Sequence, residues 1–221
     1  RGDDKDEFYS YGISSDLISD VSSAGDIRVA SLKDVEKLDY ELLTNNEIAK
    51  KLFVRYVSQG TLWKVDSTFQ LSMELYDTKN NKVKWSESWM QNWSDLPNIK
   101  SNLSKNILTN LQVANKQNFT KSDTKNAEAY ELYLKAKNIY EKRNNTEDAE
   151  QVQRLLQKAI ELDDNIISAR LLLGDFFYEL GDYNNALDIY SLALIKAKNI
   201  DDDMWIGACC NQASASSIFF K

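Results

Sequence analysis

The chain has no histidine, one proline and two cysteines among its 221 residues. Without histidine it lacks the commonest general base and the commonest nitrogen ligand for a metal. The two cysteines, Cys209 and Cys210, are neighbours inside a helical pattern. A disulfide between adjacent residues is strained, so the pair reads as small core residues rather than a crosslink. With no disulfide framework they assign no redox compartment. No stretch reaches the roughly 18 consecutive apolar residues of a spanning helix, so nothing here is expected to cross a membrane. Lysine and arginine number 27 against 34 acidic residues, a net charge of −7. No basic stripe interrupts that balance, which argues against a nucleic-acid surface. A glycine-rich phosphate loop, a metal-spaced cluster and a nucleophile elbow are also missing. No catalytic residue, cofactor or metal is expected.

The composition, 43% hydrophobic and 28% charged, is that of a globular protein long enough for one large or two small domains. Ser14 reads as the N-cap of a first helix with Asp16 in its first turn, Leu17, Ile18 and Val21 on its apolar face, and Gly25 as its stop. Ile27-Arg28-Val29-Ala30 predicts a short strand. Ser31 with Asp34, and Thr44 with Glu47, have capping-box spacing ahead of two further helical runs. The period then changes to two. Phe69, Leu71, Met73 and Leu75 alternate with polar residues, as do Val83, Trp85 and Trp89, and Thr78-Lys79-Asn80-Asn81 supplies a turn between them. With Tyr56 to Val65 they predict a three-stranded antiparallel meander. Its apolar face is expected to lie under the helices of residues 14–52. Pro97 suits the first turn of a following helix, whose apolar face carries Ile99, Leu103, Ile107 and Leu111 and which is expected to run to about Phe119.

Tyr9, Gly12-Ile13-Ser14, Asp16-Leu17-Ile18, then Ile48-Ala49, Leu52, Val54-Arg55-Tyr56-Val57, Gly60, Leu75, Asp77, Trp85 and Glu87 stand in an order that resembles the TolB amino-terminal-like domain. The resemblance covers about residues 7–115. Two positions depart from it: Tyr11 replaces the usual Asp, and Phe53 the usual Gly, so the local turns are expected to differ. The family opens with an apolar strand ahead of the point where this sequence starts. Lacking that strand, the sheet is expected to show an unprotected edge.

Residues 121–221 have a different rhythm. Leu173-Gly174, Phe177, Gly181-Asp182-Tyr183, Ala186, Tyr190 and Ala193 fit two antiparallel helices joined at Gly181, with small residues where the helices approach. Val152, Leu156 and Ala159 precede Ala186, Tyr190 and Ala193 by 34 residues, and the pattern resembles the tetratricopeptide repeat. Ser122-Asp123-Thr124 offers three N-cap candidates at the boundary, and Thr146 is read as the cap of the second helix. The turn from Lys142 to Asp148 is expected to be about three residues longer than usual. Trp205, Ala208 and Cys209 repeat Arg170, Leu173 and Gly174 at a spacing of 35 and open a third unit. About two and a half repeats are therefore expected, truncated at Lys221, and a chain running from Arg1 to an apolar Phe219-Phe220 end reads as part of a longer protein.

The predicted fold class is α+β: an α/β sandwich domain over residues 1–120 with a three-stranded antiparallel meander, then a helical solenoid over 121–221. A repeat array presents a concave face built from the first helix of each hairpin, where a protein or peptide is expected to bind. Tyr133, Lys137, Arg170 and Trp205 lie on those first helices and are the candidate partner-binding residues. Glu87, between Trp85 and Trp89 on an apolar face, reads as a structural pair, with Arg55 as its candidate partner, or as a strand-edge position in water. Trp63, Trp85, Trp89 and Trp93 read as core, and Asp201-Asp202-Asp203 as an acidic helix start.

What the two resemblances imply together is a non-catalytic regulatory module of a bacterial signalling protein. The upstream partner they imply is a class III adenylate/guanylate cyclase domain, with a membrane segment outside these residues. They also admit the sensory region of a membrane-anchored winged-helix transcription regulator, or a periplasmic assembly scaffold. The region would be cytoplasmic or periplasmic accordingly, and a homodimer is a candidate state. The helix from Pro97 is the expected lever between the two parts.

Overall fold

The computed structural model describes residues 7–25, 27–113 and 123–217 of the chain. The fold is α+β, and residues 1–119 and 120–221 form two compact units.

The first unit starts with α1, Glu7–Ser23. Phe8, Tyr9, Gly12, Ile13, Asp16, Asp20 and Val21 recur about once per turn, which puts them on one buried face. Ser14 therefore sits inside the helix and not at its cap, because the buried stripe begins at Phe8. Gly25 takes φ +78 just beyond the end, the left-handed conformation glycine reaches without strain. Ile27 to Ala30 forms no strand despite its composition, since among the described residues no neighbouring strand completes a ladder with it. A short α2, Leu32–Glu36, is capped by Ser31, and α3, Asn45–Leu52, by a complete capping box between Thr44 and Glu47. Phe53 ends α3 with φ 55. Arg28 donates to the carbonyls of Leu52 and Phe53 at 3.1 and 2.8 Å, satisfying orphan acceptors at that helix end.

The meander follows as β1 (Tyr56–Val65), β2 (Thr68–Asp77) and β3 (Lys82–Asn92), in the order β1-β2-β3. Leu62 pairs with Leu71 and Leu71 with Trp89, so the alternation places Phe69, Leu71, Met73 and Leu75 on one face, all buried. Helix α4, Leu96–Leu111, brings Ile99 and Leu103 against Phe69 and Leu71, and α1 packs on α4. The amino end of α1 also reaches β1. Lys64 lies 3.8 Å from the ring centroid of Trp93 and donates to the Tyr9 hydroxyl at 3.4 Å.

The cover of the sheet is thus α1 with α4, while α3 packs on the opposite face, around Val57 with Ile48 and Ala49. Trp85 and Trp89 are half-buried on the inner face with centroids 5.8 Å apart. Trp63 corrects the expectation of core tryptophans: it points to the other face and is 49% exposed. Helix α4 ends at Leu111 with Gln112 in the left-handed region, so the expected run to Phe119 stops short, and residues 114–119 lie outside the described ones.

Among the described residues the second unit has five helices: α5 (Ala127–Lys142), α6 (Thr146–Leu162), α7 (Ile167–Glu179), α8 (Tyr183–Asn199) and α9 (Asp203–Ser217). Helices α5 with α6, α7 with α8, and α8 with α9 pack as neighbours. The α5–α6 connection spans residues 143–145 and the α7–α8 connection 180–182, so the longer first turn expected from the sequence does not form. The reason is local. Asn145, one residue before Thr146, accepts from the Asp148 amide and starts α6 early. At the other boundary Asn126 caps α5, while Thr124 accepts from the Asn126 amide and Asp123 from that of Ser168.

Close approach fixes the α7–α8 pair. A Cβ on Gly174 would fall 2.3 Å from the Tyr190 ring, so glycine is required there for steric reasons. Ile167, Leu171, Ala186, Tyr190, Ala193, Trp205 and Cys209 form the core that joins α7, α8 and α9.

Candidate functional site

The four residues singled out in the sequence fall on α5, α7 and α9, and three of them are buried: Tyr133, Arg170 and Trp205 are 6%, 8% and 8% exposed. Tyr133 packs at a tilt against Tyr130, with centroids 5.9 Å apart. Arg170 forms an ion pair with Asp164, in the connection before α7, and Asp164 also bonds Lys196 of α8. Both cations hold the Asp164 carboxyl below its ordinary range, the Lys196 hydrogen bond most of all. Trp205 fills the α7–α8–α9 core, and Asp202 caps α9 by accepting from the amides of Met204 and Trp205. Lys137 is half-buried and projects its ammonium 5.6 Å from the Tyr133 ring centroid. The structure therefore brings Tyr133 and Lys137 together, and places Arg170 and Trp205 in contacts that join helices.

A cluster that the sequence reading missed crosses the same helices. Asp175 of α7 accepts from the Tyr190 hydroxyl of α8 at 2.7 Å and from the Gln212 amide of α9 at 3.0 Å. One carboxylate thus ties three helices. Burial pushes its pKa up against the opposing pull of the Tyr190 hydrogen bond, and Glu179 one turn away adds to the rise. Tyr190 titrates well above a free tyrosine, first from burial and then from Asp175. Glu179 pairs with Arg143 at the end of α5, whose guanidinium lies 4.0 Å from the Tyr140 ring centroid. One signal for Asp175 was available: a buried tyrosine hydroxyl such as that of Tyr190 requires a partner, and an aspartate beside Gly174 is within its reach.

In the first unit, Asp20 and Asp16 of α1 are both buried, at 4% exposure each. Asp20 pairs with Lys100 of α4 at 3.0 Å and accepts from Ser104 at 3.0 Å. Burial raises its pKa, against the pull of Lys100. Arg55 grips Asp77 with two bonds of 2.9 and 2.8 Å, and Asn80 adds a third donor at 2.7 Å, so the start of β1, the end of β2 and the next turn share one carboxylate. The Arg55 hydrogen bonds, above all, hold the Asp77 carboxyl far below its ordinary range. Arg55 is therefore the partner of Asp77, and Glu87 is exposed, 3.5 Å from the Asn106 amide.

Burial pushes the Cys209 thiol up to about 11, which leaves it inert, and Cys210 is exposed. The gap between the sheet and α4, bordered by Phe69, Trp89 and Gln91, measures about 10 Å³ and has room for a single water. Among the described residues no cluster of three acidic or thiol groups could hold a metal, and no helix is long and apolar enough to cross a membrane. What this geometry offers is polar contacts that join helices, together with exposed surface.

No protein-family model matches the chain. One curated relative does. Over 177 residues the chain is 21% identical to the protein named "Putative adenylate cyclase 3" of Rhizobium meliloti (strain 1021). The match takes in 78% of this chain and 30% of that protein. The chain thus spans less than a third of the relative's length. The likeness supports an adenylate cyclase-related context for these residues.

Proposed function

We propose that this chain is a regulatory, protein-interacting region of a signalling protein related to adenylate cyclases. In that reading residues 1–120 are a TolB-like α/β domain and residues 121–221 a tetratricopeptide array that docks a protein or peptide. One observation carries the proposal: the stretch alignable to the cyclase-named relative runs through 78% of a chain built of a sheet unit and stacked helical hairpins. Mechanistically, a partner that favours one state of the module would bias whatever domain the module is attached to, by as much as its affinities for the two states differ.

The test uses the full-length natural protein beside the 221-residue chain, with cyclic AMP formation from ATP and magnesium as readout. The full-length protein is expected to make cyclic AMP and the isolated chain none. Deleting residues 123–217 from the full-length protein should alter its rate or its mass in solution while leaving turnover measurable. Cyclic AMP made by the isolated chain would overturn the proposal, and so would a full-length protein that makes none.

A further inference from the structure

We draw no further inference here: the strongest candidate, the open edge of β1 with the adjoining sheet face that exposes Trp63, Val65 and Met90, is an unpartnered surface, and nothing in the structure shows what covers it.

Discussion

A carboxylate shielded from water costs free energy unless donors face it, and Asp175 has donors from two other helices. Truncation by Asp175→Ala would leave the Tyr190 hydroxyl and the Gln212 amide without that acceptor, a loss of about 1–3 kcal/mol in denaturant unfolding. Asp175→Asn keeps an acceptor for Tyr190 and lets the Gln212 amide turn, so its cost should stay below about 1 kcal/mol. The pH dependence has a definite sign. A carboxyl whose pKa is raised by folding binds its proton more tightly in the native state, so its contribution to stability grows as pH falls through the folded pKa. The stability difference between wild type and Asp175→Asn should therefore move in favour of wild type as pH is lowered from neutral to the ordinary carboxylate range. Urea midpoints at the two ends of that range decide it, and a shift toward the variant on acidification would refute it. Gly174→Ala is the steric counterpart. Its methyl group meets the Tyr190 ring at 2.3 Å, and the ring is held by Asp175, so a loss of about 1–3 kcal/mol is expected from overpacking. Phe53 should behave oppositely. It sits at φ 55 with 83% of its surface exposed, so Phe53→Gly removes left-handed strain, exposes no core, and should raise stability by up to about 1 kcal/mol.

At the scale of elements, legibility in the sequence followed how local the deciding interaction was. The capping box of Thr44 and Glu47 closes within four residues, and it forms as read. The alternation of Phe69 to Leu75 reports burial of one face, and that face is buried. Ile27 to Ala30 has the composition of a strand, but a strand exists only in a ladder, and its neighbours were not legible from four residues. The start of α1 was obscured because its buried stripe includes Gly12, Asp16 and Asp20, which read as polar or breaker residues. The partner helix explains Asp20. Lys100 and Ser104 of α4 face Asp20, and no spacing within α1 announces them. The same pair gives a prediction for how α1 is held. Lys100→Met leaves a buried carboxylate without its cation and should cost about 3–5 kcal/mol. Adding Asp20→Asn removes the charge that was stranded, so the double variant should recover most of that loss. Thermal or urea unfolding of the three variants measures the coupling, and additive losses would show that the ion pair is not what joins α1 to α4.

The whole molecule distributes its reporters unevenly. Four of the five tryptophans, Trp63, Trp85, Trp89 and Trp93, belong to the sheet unit, while Trp205 belongs to the helical unit. Trp205 is 8% exposed within a core drawn entirely from α7, α8 and α9. Such a core contains the apolar surface that its own helices need to bury, as stacked hairpins do when each supports the next. Residues 120–221 produced alone should therefore fold. Their far-ultraviolet circular dichroism should be strongly helical, and Trp205 fluorescence should be that of a shielded indole. Because α9 holds that indole and α5 to α8 supply most of the helical signal, the two readouts sample different parts of one array. Coincident urea transitions by both would mean that the array unfolds as a unit from α5 to α9. A Trp205 transition well before the loss of helix would mean that α9 detaches first. In that case the ties from Asp175 to Gln212 and from α8 to Trp205 would be too weak to make α9 part of the cooperative array. A helical signal missing from the fragment altogether would mean that the array depends on residues before 120 for its folding.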